Sequence, residues 1–366
     1  MNFKTNNSPP KIVGAGLVVL DIIINNGSKT PIFNAGGTCA NVLAGLSFLG
    51  WESTPVSRAG TDLAGNILIN DLIKDGVNTD YTVKEENIVT PRIIEALSSD
   101  GQYAKHKFLL RCPACQSYLP RFRSPRLDAV DCLITEYSGP DVYFFDRATP
   151  STLKLAKIYR ETDALIVFEP NNFRFDDKSE EAVRLCHILK YAGDKTKRND
   201  RNDMLKKIRD FKPPLIIKTL GELGLSFRFN DDSRWRHQKS IQSDEIFDSC
   251  GAGDWCTVGF LFYLQKLARK NNSNLSDILD YTDAVKSSLN FAQKLASLSL
   301  KFVGARGLSN SINRMKLLKH LQPLFKEIDN TDLSANSRLL KDRSPVLKQK
   351  LINNSGLCPT CLLKTE

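Results

Sequence analysis

A glycine-rich run that ends in an aspartate carries the clearest chemical signal in this chain. The run is Asp248-Ser249-Cys250-Gly251-Ala252-Gly253-Asp254, and an apolar stretch with helical character follows it. Gly251, Ala252 and Gly253 have little or no side chain, so their backbone N–H groups can converge on an anion at the start of that helix. Asp254, in the first helical turn, is placed to accept a proton from a hydroxyl that attacks a phosphorus atom held there. The arrangement suits phosphoryl transfer to an alcohol, although the run alone also fits an ordinary glycine-rich helix start.

Four further motifs accompany this run. Two lie in the first third of the chain, Asn34-Ala35-Gly36-Gly37-Thr38-Cys39-Ala40-Asn41 and Arg58-Ala59-Gly60-Thr61-Asp62-Leu63-Ala64-Gly65. Two lie further on, Ile217-Lys218-Thr219-Leu220-Gly221-Glu222-Leu223-Gly224 and Val303-Gly304-Ala305. In order and spacing the five motifs resemble those of the ribokinase (PfkB-type) carbohydrate kinase family, with Ser249 where threonine is usual. The resemblance covers roughly residues 11 to 325.

The resemblance implies a role for residues in each motif. Asp254 would be the general base, and Gly251, Ala252 and Gly253 would stabilise charge on the transferring phosphoryl group. Mg²⁺ would offset the charge of the ATP phosphates. The acceptor, a sugar or a nucleoside, would be bound by Asp21, Gly36, Gly37, Asn41 and Asn171. The nucleotide site would be lined by Thr219, Gly221, Gly304 and Ala305.

Two segments depart from the family pattern. Phe168-Glu169-Pro170-Asn171-Asn172-Phe173-Arg174 resembles a D-x-N-x-R stretch, but Glu169 replaces Asp and the Arg comes one place late. Where the family usually has N-x-x-E, which helps to organise magnesium and phosphate, this chain has Ala192 in the run Ile188–Lys195. The first departure keeps a nucleoside acceptor open as an alternative to a sugar. The second keeps open a weak or inactive kinase fold that serves as a zinc-stabilised ligand-binding or partner-binding module.

Alternating apolar strands and helical patterns are expected to position these residues. Ile12–Asp21 reads as a buried first strand with Asp21 near its end, and three later parallel strands are predicted at Val142–Phe145, Leu165–Phe168 and Leu215–Lys218. Together with the resemblance, this pattern predicts a ribokinase-like three-layer α/β sandwich with a mostly parallel central sheet. We expect one kinase domain over residues 11–325.

A β lid is expected to cover the acceptor. Residues 88–97 and 103–110 flank Asp100-Gly101, a good hairpin signal. This resembles the family's small β lid, which would span roughly residues 22–34 and 88–111 and exclude water, the competing phosphoryl acceptor. Arg92, in the first lid strand, is either solvated or within reach of an acidic or phosphorylated substrate. A homodimer formed through the lid is a further expectation.

Four of the nine cysteines form two copies of a Cys-Pro-x-Cys turn. Such a turn directs two thiolates at one point, and two turns complete the tetrahedral shell of a structural zinc ion. We therefore expect Zn²⁺ bound by Cys112, Cys115, Cys358 and Cys361. Redox-active or disulfide-linked pairs and unrelated free thiols are the alternatives. The zinc would fasten the C-terminal tail, residues 326–366, to the lid across a polar linker that follows a helix at Ser311–Phe325.

Composition narrows the class of protein. A chain of 366 residues with 41% apolar residues can bury a large core. The formal charge of +10 comes from Lys and Arg residues that are spread along the chain without a nucleic-acid motif, so nucleic acid is not an expected partner. The apolar runs are too short or too interrupted to span a bilayer, and the first eleven residues lack the apolar core of a secretory signal. We expect a cytoplasmic protein.

Overall fold

The structure is a computed structural model, and it describes residues 8–25, 30–99, 104–137, 139–171, 176–193, 208, 210–211, 213–230, 232 and 234–325. Its strands are β1 (Lys11–Ala15), β2 (Val19–Asn25), β3 (Ile32–Gly36), β4 (Glu52–Gly60), β5 (Thr82–Glu85), β6 (Arg92–Ser99), β7 (Ala104–Leu109), β8 (Val142–Phe145), β9 (Leu165–Phe168), β10 (Ile188–Ala192), β11 (Leu215–Thr219), β12 (Leu225–Phe229) and β13 (Arg236–Gln238).

Nine of these strands form the central sheet, in the order β13-β12-β11-β10-β9-β8-β1-β4-β5. The pairs from β11 through to β5 are parallel, and β12 and β13 add antiparallel strands at one edge. Every residue of β8 and β9 is buried, as expected of parallel strands that are covered on both faces. The predicted strands over Val142–Phe145, Leu165–Phe168 and Leu215–Lys218 are confirmed. The sequence pattern does not predict β10, where Lys190 interrupts the apolar run.

The other four strands form a separate sheet, the lid, in the order β3-β2-β6-β7. It contains the predicted hairpin strands β6 and β7 together with β2 and β3 from the predicted first lid segment. The prediction of one strand over Ile12–Asp21 is wrong, because the chain leaves the central sheet after β1 and enters the lid as β2. Gly16 lies at this change of direction, and a Cβ atom there would lie 2.0 Å from Oδ1 of Asp146. Asp21 therefore belongs to the lid.

The helices fill both sides of the central sheet. They are α1 (Thr38–Phe48), α2 (Leu63–Lys74), α3 (Leu127–Glu136), α4 (Pro150–Arg160), α5 (Asp177–Leu185), α6 (Ala252–Lys270), α7 (Leu275–Ile278), α8 (Thr282–Ser299), α9 (Gly307–Ser311) and α10 (Arg314–Leu321), with 3₁₀ turns at Gly221–Leu223 and Gln322–Phe325. Two apolar clusters form the core, and neighbouring strand residues such as Phe144 and Phe145 belong to different clusters. The helix predicted at Ser311–Phe325 is observed as the shorter helix α10 and the 3₁₀ turn that follows it.

Helix α6, which carries the glycine-rich run at its start, is packed closely on its neighbours. A Cβ atom at Gly45 of α1 would lie 2.7 Å from Val258 of α6, and one at Gly259 would lie 2.8 Å from Cα of Ala292 in α8. These close approaches fix the position of the helix whose first turn holds Asp254. Among the described residues, the structure contains no helix that is both long and apolar enough to cross a membrane.

Candidate active site

The glycine-rich run folds as a tight turn at the start of α6. Gly251 is the residue before the helix, with φ of 75°, and a Cβ atom on it would lie 2.5 Å from Cα of Ala305. A Cβ atom on Gly253 would meet nothing within 4 Å, so this side of the turn is open. Nε1 of Trp255 donates a 2.8 Å hydrogen bond to the carbonyl oxygen of Ala305. The predicted anion cradle and the predicted Gly304-Ala305 element therefore lie together.

Asp248 accepts hydrogen bonds from both the anion cradle and the Gly304-Ala305 element. It is fully buried, its Oδ1 accepts a hydrogen bond from the backbone N–H of Cys250 at 2.9 Å, and its Oδ2 accepts one from Gly304 at 2.7 Å. Burial alone would raise the pKa of Asp248, but hydrogen bonds from His106, Cys250 and Gly304 hold this pKa below its usual value. Asp248 is therefore an ionised anchor that fixes the shape of the cradle.

Asp254 lies in the first turn of α6, as the sequence predicts, and is held by the predicted Asn41. Nδ2 of Asn41 donates a 2.7 Å hydrogen bond to Oδ2 of Asp254. Burial, followed by the negative charge of Glu169, raises the pKa of Asp254 to about 7, while Asn41 and Lys190 oppose the increase. A carboxyl group with a pKa near neutrality can take up and release a proton at physiological pH, which is what a general base requires.

A buried polar network supports the cradle from the central sheet. Glu169 follows β9, and its carboxylate pairs with Nζ of Lys190 on β10 and accepts a 2.5 Å hydrogen bond from Oγ1 of Thr257. Nζ of Lys190 also donates to the carbonyl oxygen of Gly253 at 3.1 Å. Sequence reasoning missed Lys190 and Thr257. The available signal was a lysine inside an otherwise apolar strand.

Three residues predicted to bind the phosphate acceptor also lie close together, namely Asp21, Gly36 and Gly37. A Cβ atom on Gly36 would lie 1.7 Å from Oδ2 of Asp21, so only glycine leaves room for this carboxyl group. Gly37 has φ of 87°, and its N–H donates to Asp21. Burial, followed by the charges of Glu95 and Asp254, raises the pKa of Asp21 to about 8. Asp21, on the lid, and Asp254, on α6, are close enough for their charges to interact.

The remaining predicted residues are less closely connected to the cradle. Thr219 ends β11 and Gly221, with φ of 58°, follows it, so both lie at the carboxyl edge of the sheet where Glu169 follows β9. Asn171 is exposed and is the last described residue before a gap at 172–175. Ala192 ends β10 and brings no polar side chain to this edge.

Arg92 has a structural position, so the expectation that it reaches solvent or an acidic substrate is wrong. Its side chain is fully buried, and Nη2 lies 2.6 Å from Oδ2 of Asp62. Asp62 in turn caps α2 by accepting a 2.9 Å hydrogen bond from the N–H of Gly65. A buried guanidinium needs such a partner, and the ion pair joins lid strand β6 to α2.

The structure describes only two of the four cysteines that are expected to bind zinc. Cys112 is buried and Cys115 is exposed, and the N–H of Gln116 donates to the carbonyl oxygen of Cys112 at 2.9 Å, which closes a turn. Cys358 and Cys361 lie outside the described residues. The zinc tether therefore stays a prediction.

Comparisons with known proteins agree with this geometry. The sequence profile described as pfkB family carbohydrate kinase matches residues 11–312. Probable fructokinase-5 of Arabidopsis thaliana is 23% identical over 330 residues, which cover 85% of this chain and 98% of that protein.

Solved structures share the fold. Fructokinase with bound ATP from Xylella fastidiosa superimposes with a TM-score of 0.64 at 16% identity, covering 86% of this chain and 98% of that one. A nucleoside kinase from Burkholderia thailandensis in complex with inosine gives 0.60 at 11% identity, with 86% and 98% covered. These similarities confirm a ribokinase-like α/β fold with a mostly parallel central sheet.

Proposed function

Because the chain belongs to the pfkB family of carbohydrate kinases, we propose that it transfers a phosphoryl group from ATP to a hydroxyl of a sugar or sugar-like molecule, with Asp254 as general base. One observation carries this proposal. Asp254 combines a pKa of about 7 with a position in the first turn of α6, beside the open side of the glycine cradle. That is the combination of basicity and placement that activation of an acceptor hydroxyl needs.

The cradle and the base act on the two groups between which the new P–O bond forms, the phosphoryl group and the acceptor hydroxyl. The N–H groups of Gly251, Ala252 and Gly253 stabilise negative charge on the transferring phosphoryl group at the helix start. Asn41 holds Oδ2 of Asp254, which leaves Oδ1 to face the acceptor hydroxyl and take its proton. Because the pKa of Asp254 is about 7, a large fraction of the carboxyl group is ready to act as a base at neutral pH.

The acceptor is held between the lid and α1. Asp21 has a pKa of about 8, so near neutrality it carries a proton for much of the time and can both donate to and accept from sugar hydroxyls. Gly36 and Gly37 allow the backbone to come close to the acceptor, and Asn41 adds an amide. Asn171 would make a further contact with the acceptor, as the family resemblance implies. The fructokinase relatives favour a sugar, and the structural neighbour in complex with inosine keeps a nucleoside as the alternative.

ATP is placed by Thr219 and Gly221 at the end of β11 and by Gly304 and Ala305 beside the cradle. Gly221 supports this placement, because a Cβ atom there would meet nothing within 4 Å. Mg²⁺, when bound to ATP, offsets the charge of the phosphates. Ala192 offers the ion no side-chain ligand at the place where the family pattern has one, and we assign no step to the ion.

The lid also supports the proposed homodimer. β7 is the edge strand of the lid, and its Phe108 is 50% exposed, while Leu110, just beyond the strand, is 60% exposed. Exposed apolar residues along an open strand edge suit pairing with a second copy of the chain. The cytoplasmic location and the limits of the kinase domain at residues 11–325 remain predictions.

The test is ATP turnover with Mg²⁺ against a panel of sugars, sugar acids and nucleosides, for the wild type and Asp254→Asn. Loss of the general base is expected to reduce turnover by about 100-fold or more, while acceptor binding, measured by calorimetry, changes little. Absence of turnover with any acceptor, together with ligand-induced thermal stabilisation, would favour the binding module. Turnover that persists unchanged in Asp254→Asn would refute the role of this residue.

A further inference from the structure

Three side chains with metal-binding atoms converge where the lid meets the cradle loop. Glu95 lies on β6, His106 on β7 and Asp248 just before the cradle, and one ligand atom from each lies within 4.8 Å of the other two. Nδ1 of His106 is 3.5 Å from Oδ1 of Asp248 and 3.3 Å from Oγ of Ser249. Asp248 anchors the cradle loop and Glu95 affects the pKa of Asp21, but none of the three is assigned a contact with the acceptor or with ATP in the phosphoryl transfer proposed above.

Three separate elements direct these side chains at one point. In the antiparallel pair of β6 and β7, His106 lies opposite Leu97, which is two residues from Glu95. Residues two apart share a face of a strand, so Glu95 and His106 point to the same side of the lid. Asp248 approaches from the other side and is fixed by its hydrogen bonds from Cys250 and Gly304. Carboxylates that are already hydrogen-bonded in this way are typical ligands of protein metal sites.

Glu95 brings a second buried carboxylate to this cluster, and His106 is the one member that can carry a positive charge. Glu95 is 1% exposed, and neither carboxylate oxygen makes a hydrogen bond of normal geometry with a described residue, although the Cys250 thiol and Asp248 lie close enough to interact with it. Two buried carboxylates within 4.8 Å of each other repel, and one imidazole does not offset both charges. Both oxygens of Glu95 are closed to solvent, so they would contact a bound cation directly rather than through bulk water.

We propose that Glu95, His106 and Asp248 bind a divalent transition-metal ion of the Mn²⁺ and Zn²⁺ class, which joins the lid to the cradle loop. One imidazole and two carboxylates suit these ions better than Ca²⁺ or Mg²⁺, which prefer oxygen ligands alone. The His106 side chain is 25% exposed and leaves a side from which the ion and a completing water can reach the site. The bound ion would hold β6 and β7 against the loop that Asp248 anchors.

The test is titration of the full-length, chelator-treated protein with Mn²⁺ in the absence of nucleotide, with free Mn²⁺ followed by electron paramagnetic resonance. Mn²⁺ is the probe because the Cys-Pro-x-Cys turns, as soft thiolate sites, favour Zn²⁺ and would confuse a zinc titration. We expect one site in the wild type and an affinity at least about tenfold weaker in Glu95→Gln and in His106→Gln. Matched controls are His237→Gln, on β13, and Asp254→Asn, and both are expected to bind as the wild type does.

A thermal melt with and without Mn²⁺ is a second measurement, and it keeps the test informative if a variant folds poorly. Glu95→Gln has the same shape and removes a buried negative charge, so without metal it is expected to melt at the wild-type temperature or above it. Mn²⁺ is expected to raise the melting temperature of the wild type and not that of Glu95→Gln. Absence of Mn²⁺ binding in the wild type, equal binding in Glu95→Gln, or a loss of binding in Asp254→Asn would each overturn the proposal. Because no nucleotide or acceptor is present, the outcome is independent of the kinase activity.

Discussion

Lys190 and Glu169 form a buried ion pair behind Asp254, and removing either partner is expected to shift the pH dependence of turnover in opposite directions. The positive charge of Lys190 lowers the pKa of Asp254, whereas the negative charge of Glu169 raises it. A general base acts only when deprotonated, so activity falls as the pH decreases through its pKa. Lys190→Met is therefore expected to move the acid limb of the kcat profile to higher pH, and Glu169→Gln is expected to move it to lower pH.

The size of the shift follows from Coulomb's law. Unit charges ~6 Å apart in an effective dielectric constant of ~20 interact by ~3 kcal/mol, which equals about two pKa units. Relaxation around the vacated position weakens this effect, so a limb shift of about one unit is expected in each variant. Each variant also leaves a buried partner uncompensated and is expected to lower the free energy of unfolding by about 3–5 kcal/mol.

The assay is kcat against pH at saturating ATP and acceptor, from about pH 5 to about pH 9, together with a thermal melt of each variant. Lys286→Met is a matched control, because Nζ of Lys286 pairs with the exposed Asp283 at 3.3 Å on α8 and its loss is expected to move neither the limb nor the melt appreciably. If both variants of the buried pair move the limb in the same direction, or if neither moves it while the fold is retained, the electrostatic account of Asp254 is refuted.

Two further predictions concern the lid. In Gly36→Ala the added methyl would lie 1.7 Å from Oδ2 of Asp21. We therefore expect the KM for the acceptor to rise at least about tenfold while the KM for ATP stays near its wild-type value, both measured by steady-state kinetics. An unchanged acceptor KM would remove Asp21 from the acceptor site. Arg92→Met leaves Asp62 without its buried partner and is expected to cost about 3–5 kcal/mol of unfolding free energy, measured by denaturant unfolding, with no change in the preference between neutral and acidic acceptors; a changed preference would restore the substrate role of Arg92.

The parts of the site that depend on small residues were predictable from the sequence. Gly251 and Gly36 occupy positions where the structure leaves no room for a Cβ atom, so their types report the geometry directly. The Asn41 prediction rests on the resemblance, and the structure places its amide on Asp254. Helix α6 was visible because a long apolar stretch follows the turn.

The parts that depend on distant partners were not predictable. Arg92 and Lys190 are both cations inside strands, and only the fold shows that their partners are Asp62 and Glu169. The break between β1 and β2 was hidden because residues 12–20 are apolar in both sheets, and a run without alternation gives no sign of a change of sheet. Glu95 carried no sequence signal, because its significance depends on His106 and Asp248 being nearby.

The placement of Asp21 on the lid links movement of that sheet to protons. Burial, followed by the charges of Glu95 and Asp254, raises the pKa of Asp21, and Asp254 lies on α6 rather than on the lid. A displacement of the lid that separates the two carboxyl groups weakens this contribution, so the open form holds Asp21 as a stronger acid than the closed form does. By linkage, closure of the lid over an acceptor would then be accompanied by proton uptake, and acidification of the medium would favour the closed form. The heat of acceptor binding, measured by calorimetry, would then depend on the ionisation enthalpy of the buffer, and this dependence would reveal closure of the lid.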